Sequence, residues 1–113
     1  DFIKQKKTIS ICFPRNINNY KKFVDNVNPD IISIDYNVNP SIIRDTIDIP
    51  IQGGLDPKIL LQNKEAVRNE VTKYLKTFEK KRYIFNLGHG VLPETNPDMV
   101  RYLVDEVRSF NGQ

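Results

Sequence analysis

Strand-like and helix-like segments take turns along this chain, and that alternation restricts the fold more than any other feature. Apolar runs lie at residues 8–13, 31–36, 47–52 and 83–87; the first two are short, rich in β-branched and aromatic residues and bounded by Pro14, Asp30 and Asn37, the composition of strands. Their polar–apolar alternation is incomplete, as expected of strands covered on both faces. Helical spacings lie between them. Ile17, Tyr20, Phe23, Val24 and Val27 repeat behind Asn16, which the spacing takes as N-cap. Val67, Val71, Tyr74, Leu75 and Phe78 repeat behind Asn63. Met99, Val100, Leu103, Val104 and Val107 repeat behind Asn96, with Pro97 at the first helical position. Asp56-Pro57 starts a shorter helix and Asn39-Pro40 a single turn. Strand followed by helix, four times over, predicts an α/β protein of parallel strands joined by helical crossovers. Four such units amount to half of an eight-stranded barrel or to a small open sheet. Half a barrel would leave two edge strands and an apolar face uncovered; a free-standing sheet blunts such edges with charge, and here only the turns are polar. The pattern therefore predicts half of something larger.

At 113 residues the chain is one domain or a piece of one. A hydrophobic fraction of 39% and a charged fraction of 27% suit a globular protein and exclude a disordered or collagen-like chain. The single cysteine, Cys12, excludes an internal disulfide and fits a reducing compartment, so a cytoplasmic protein is expected. No apolar run approaches the length that spans a bilayer and no signal peptide opens the chain, so no membrane partner is expected. The first residue is Asp1 rather than Met, which places the expected N-terminus upstream. The net charge of +3 comes with two basic groups, Lys4, Lys6 and Lys7, and Lys80, Lys81 and Arg82. No nucleic-acid-binding signature accompanies them. Short basic runs at helix ends are ordinarily solvated caps, so no nucleic-acid partner is expected. No strand leads into a phosphate-gripping glycine pattern, and Gly53-Gly54 reads as a turn.

Chemistry concentrates in one stretch. Residues 83–95 join the last apolar run to the only histidine, His89, set between Gly88 and Gly90. Flanking glycines predict backbone conformations closed to other residues and leave room for a ligand beside the imidazole. A loop between a strand and a helix is where α/β proteins place their sites. The plainer reading is a histidine bonded to a backbone carbonyl at a strand end. An imidazole offers a neutral or a cationic face near neutral pH, and the pattern does not choose between them. Arg15 also follows a strand, where its fork would grip a carboxylate with two hydrogen bonds; a solvent-exposed loop arginine is the plainer reading. Asp35 lies near the C-terminal end of the second run and faces either a barrel mouth or a neighbouring loop that satisfies it. Glu94 and Asp98 flank a helix start, where carboxylates suit the positive end. Tyr36 reads as part of the barrel wall and Cys12 as a buried thiol.

The run Asn86-Leu87-Gly88-His89-Gly90-Val91-Leu92-Pro93-Glu94-Thr95, followed by Pro97, closely resembles the C-terminal signature of the uroporphyrinogen decarboxylase family. Gln52-Gly53-Gly54-Leu55-Asp56-Pro57 and Ile34-Asp35-Tyr36 precede it at that family's spacing, and the resemblance runs from about residue 9 to residue 110. It implies a single (β/α)8 TIM barrel, usually a homodimer. It implies a carboxy-lyase that removes the four acetate carboxyl groups of uroporphyrinogen III to give coproporphyrinogen III, in haem biosynthesis, with no metal and no cofactor. Residues 1–113 are then the C-terminal half of one barrel domain, with the N-terminal half absent. The resemblance assigns His89 to contact with the polyanionic tetrapyrrole, with Arg15 and Asp35 as further candidates. The arginines, aspartate, tyrosine and serine to which the family's catalysis is attributed match no position here, so no catalytic residue is expected in this chain. Two departures stand out. Gly54 replaces a common Asn, and Phe13-Pro14-Arg15-Asn16 replaces a Lys-Gly or Lys-Asp loop; both are expected at the substrate rim. Two other readings compete. One is a non-catalytic remnant of a split or decayed gene. The other is the zinc- and corrinoid-linked methyltransferases similar in fold, which place a cysteine where His89 stands; with Cys12 alone, no soft-ligand zinc site is assembled from this chain.

Overall fold

The computed structural model describes residues 8–111. Four parallel strands, β1 (Ile11–Cys12), β2 (Ile31–Ile34), β3 (Ile51–Gly53) and β4 (Tyr83–Ile84), lie side by side in chain order. Helices α1 (Tyr20–Val27), α2 (Pro40–Thr46), α3 (Lys64–Thr77) and α4 (Pro97–Asn111) alternate with them, and a 3₁₀ helix, Pro57–Leu61, precedes α3. Each crossover steps to the next strand in the same direction, with no reversal of the kind that splits helices between two faces. The predicted α/β alternation and parallel pairing are what the chain adopts.

Register decides which residues face the helices. Cys12, Ile32, Ile51 and Tyr83 stand in one row across the sheet, and Ile32 and Ile51 are sealed beneath the helices. They share one core with Val24 of α1, Ile43 of α2, Val67, Val71 and Leu75 of α3 and Leu103 of α4. The next row, Ser33, Gln52 and Ile84, points the other way. On that face no helix packs, and Ile11, Phe13 and Ile84 remain 50%, 41% and 45% exposed. Both faces of the strands were expected to be covered; among the described residues only one is. The incomplete alternation reflects apolar residues on a bare face rather than a second layer of helices.

Several elements are shorter or start later than their spacing suggests. The run at residues 47–52 yields only β3. Ile47 ends α2, its N–H donating to Ile43 O at 3.0 Å, and the ladder resumes at the Pro50 carbonyl, which accepts from Ile32 N–H at 3.1 Å. Asn16 is not the cap of α1. It sits at φ +58, whereas a cap needs an extended backbone. Asn19 has that geometry and its side chain accepts the Lys22 N–H at 3.0 Å. Asn39 caps two turns rather than one, and Asp56 opens a 3₁₀ rather than an α-helix. Asn63 and Asn96 cap as expected, accepting from the N–H groups of Ala66 and Asp98 at 2.8 and 2.9 Å.

The edge of the sheet at the strand N-termini is stitched by polar bonds. Ser10 N–H donates to the Asp30 carboxylate at 2.7 Å and Asp30 N–H donates back to Ser10 Oγ at 3.1 Å. Lys81 Nζ donates to the Ile47 carbonyl at 2.8 Å. That lysine belongs to the second basic group, so it is a tether rather than a solvated cap. Lys4, Lys6 and Lys7 lie outside the described residues. No helix among the described residues is long and apolar enough to cross a membrane.

Candidate functional site

Parallel strands end at one common edge, so the loops after them gather there. Arg15 follows β1, Asp35 and Tyr36 follow β2, Gly54 to Asp56 follow β3, and Asn86 to Gly90 follow β4. His89 therefore stands at the same end of the sheet as the other loops, and it is exposed.

Its loop is held from two sides. Leu55 N–H donates to Asn86 O at 3.4 Å and Gly88 N–H donates to Leu55 O at 2.7 Å, which extends the β3–β4 pairing to Leu87. Gly88 presses against the backbone after β2: a Cβ there would lie 2.6 Å from Tyr36 N. The flanking glycines serve different ends than their pattern suggests. Neither takes a positive φ. Gly88 makes room for the Tyr36 backbone rather than for a ligand. Gly90 alone opens onto space, with nothing within 4 Å of where its Cβ would stand.

Two cavities meet at His89. One, of about 250 Å³ at the rim, is lined by Arg15, Asp35, Asp56, Lys58 and His89. The other, of about 370 Å³ on the bare sheet face, is lined by Phe13, Ser33, Gln52, Asn86 and His89 among others. The three residues singled out from sequence, Arg15, Asp35 and His89, are thus brought to one cavity. Arg15 is exposed and makes no hydrogen bond or ion pair among the described residues. Asp35 is buried; its Oδ1 accepts the Tyr36 N–H at 2.8 Å, and its own N–H donates to the Tyr20 hydroxyl at 3.0 Å. Burial raises the Tyr20 phenol above its ordinary range, the hydrogen bond to Asp35 opposing.

Three lining residues escaped the sequence reading. Lys58 Nζ lies 3.8 Å from Asp56 Oδ2 and 5.1 Å above the Tyr36 ring. The signal for it was the Asp56 cap, which fixes the first turn of the 3₁₀ helix at the rim. Ser33 and Gln52, joined by a 3.4 Å bond from Gln52 Nε2 to Ser33 Oγ, are polar positions at matching places in two otherwise apolar strands. That coincidence was visible in the sequence. No three His, Cys, Asp or Glu side chains gather around a common point among the described residues. Arginine, lysine and imidazole at one rim are suited to carboxylates, by charge and by directed hydrogen bonds.

Residues 1–110 match the family model described as Uroporphyrinogen decarboxylase (URO-D). The chain belongs to the uroporphyrinogen decarboxylase family. It is 41% identical over 102 residues to a protein of Rickettsia felis named uroporphyrinogen decarboxylase, covering 88% of this chain and 30% of that protein. The equivalent from Rickettsia canadensis is 41% identical over 106 residues, 92% of this chain and 31% of the relative. That from Rickettsia bellii is 42% identical over 106 residues. The chain spans about 30% of the length of the curated relatives it matches.

Other expectations for this uroporphyrinogen decarboxylase family member need correction. Gly54 does not lie at the rim: a side chain there would run into Ile34 and Tyr74, inside the core. Arg15, the other departure from the family pattern, does line the rim. Tyr36 is 37% exposed at the rim rather than set in the wall. Cys12 is half-buried rather than enclosed. Asp98 lies in the first turn of α4 as expected and pairs with Arg101 at 2.9 Å.

Proposed function

We propose that this chain forms part of a uroporphyrinogen decarboxylase, a carboxy-lyase acting on the acetate arms of uroporphyrinogen III. Loss of carbon dioxide from such an arm would leave a carbanion unless the adjacent pyrrole is protonated first. The site must therefore hold a polyanionic ring, deliver a proton and stabilise a cation. Residues of this chain supply the holding. Arg15, Lys58 and His89 face carboxylate arms at the rim, and the bare face beside Phe13 and Ile11 offers apolar surface to the macrocycle. The groups that protonate the pyrrole and stabilise the cation lie outside this chain, and no metal or cofactor takes part. In the same reading the sheet is one arc of a (β/α)8 barrel, with the bare face as its interior, in a cytoplasmic homodimer. Sequential strand order and helices confined to one face support the arc.

The observation that carries this reading is the placement of His89, exposed at the strand C-terminal edge beside Arg15, in a chain whose family match runs over residues 1–110. The test is anaerobic incubation of the protein, at its full encoded length, with uroporphyrinogen III, resolving products by carboxyl number. Stepwise conversion to coproporphyrinogen is expected, with His89→Asn lowering kcat/KM roughly ten- to a hundredfold, the worth of one hydrogen bond to a charged group. Absence of any product would favour a non-catalytic remnant of a decarboxylase gene, a reading that the 30% coverage also accommodates.

A further inference from the structure

The turn leaving β3 is built from two glycines in left-handed backbone, Gly53 at φ +90 and Gly54 at φ +105. Both are buried, and a buried carbonyl without a donor is costly. Phenols meet both. The Tyr83 hydroxyl donates to Gly53 O at 2.6 Å and the Tyr74 hydroxyl donates to Gly54 O at 2.8 Å. The rings are themselves held. Tyr83 stacks on buried Phe78, centroids 4.4 Å apart and planes 11° apart, and Tyr74 leans on the same ring at 6.5 Å.

The consequence appears one residue later. The turn delivers Leu55 to the backbone of the last loop, where its carbonyl accepts the Gly88 N–H at 2.7 Å. Gly53 also approaches this loop directly, the position of its missing Cβ lying 3.3 Å from Leu87 O. Gly88 immediately precedes His89. We infer that the hydroxyls of Tyr74 and Tyr83 are positioning groups for His89, acting through the twin-glycine turn and the Leu55–Gly88 bond. Neither phenol touches the rim cavity by its hydroxyl; each sets where the imidazole is presented. The inference rests on the reading of His89 as a substrate contact.

A double-mutant cycle tests it, because residues that act through one another lose less together than the sum of their separate losses. Tyr83→Phe, Tyr74→Phe, His89→Asn and the Tyr83→Phe/His89→Asn pair are made in the protein at its full encoded length. KM and kcat for uroporphyrinogen III are measured beside thermal melting. Tyr83→Phe is expected to raise KM about tenfold, the low end of what losing one hydrogen bond to a charged group costs. The pair is expected to match His89→Asn alone. Additive losses, or a lower Tm with KM unchanged, would overturn the inference. Should Tyr83→Phe fail to fold, Tyr74→Phe runs the same cycle. Failure of both to fold would also overturn it, since the hydroxyls would then hold the whole sheet. If His89→Asn itself leaves KM and kcat unchanged, the substrate-contact reading fails first, a result distinct from additivity.

Discussion

Glycines near the site illustrate how differently one residue type is used. At Gly54, φ is +105 and a Cβ would stand 2.9 Å from Ile34 Cδ1 and 3.0 Å from a Tyr74 ring carbon. Gly54→Ala therefore meets backbone strain and crowding together and is expected to destabilise by about 2–4 kcal/mol, read from the urea midpoint. Gly90→Ala meets neither, and its stability is expected to stay within about 0.5 kcal/mol of the parent. The added methyl stands beside His89, however, so on the proposed function the protein at its full encoded length is expected to bind uroporphyrin, the fluorescent oxidised octacarboxylate, more weakly. Unchanged fluorescence titration of that variant would separate Gly90 from the ligand path. His89 was legible in sequence because one histidine between two glycines, after a strand and before a helix, is a rare local pattern. Lys58 was not. Its one local signal is the Asp56 cap, and only the successive pairing of β1, β2 and β3 brings that turn to the cavity it shares with Arg15.

Helix starts and the β3 turn carry the predictions at the level of elements. Asn16 and Asn19 offer the same side chain, and Ile17 continues the apolar spacing, so the periodicity could not separate loop from helix. Backbone conformation does. Asn19→Ala removes an acceptor from the Lys22 N–H and is expected to cost about 1 kcal/mol. Asn16→Gly relieves a left-handed residue and is expected to be neutral or stabilising by a few tenths, about 0.3 kcal/mol. Chemical denaturation of the two variants distinguishes the cap from the loop residue. At the β3 turn, burial first, then Glu70 and Asp56, push the Tyr74 phenol up to about 12. Burial pushes Tyr83 up as well. A phenol whose folded value is raised keeps its stabilising contribution below the unfolded value, about 10. The unfolded chain releases its proton first, so stability falls as pH rises from about 10 toward 12. Urea midpoints across that window should decline for the parent and decline less steeply for Tyr74→Phe.

Among the described residues the molecule is a layer of helices on one face of a sheet whose other face carries none. Ile11, Phe13 and Ile84 on that face, and an apolar groove of about 340 Å³ between β4 and α4 lined by Phe85, Leu87, Val100 and Val104, favour association. These 113 residues expressed alone are expected to self-associate, with sedimentation that depends on concentration. Ile11→Lys with Ile84→Lys should reduce it, as charge does on exposed strands. A parent that sediments as a monomer and melts in one sharp transition would contradict this. Topology was readable in advance, because alternation of periods and parallel pairing follow from the order of segments. That half a barrel leaves an apolar face uncovered was readable too; which residues lie on that face was not. Isoleucine in a strand looks the same whether a helix covers it or nothing does, and only the register through Ser33, Gln52 and Ile84 assigns the side.

The two ends of the sheet have separate duties. Ser10 with Asp30 and Lys81 with Ile47 tie the strand beginnings, while the strand endings present Arg15, Lys58 and His89. On the proposed function, endurance and ligand choice fall to opposite borders, so reinforcing the first, by a crosslink or a shorter loop there, would leave the second free to drift toward other anionic cargo.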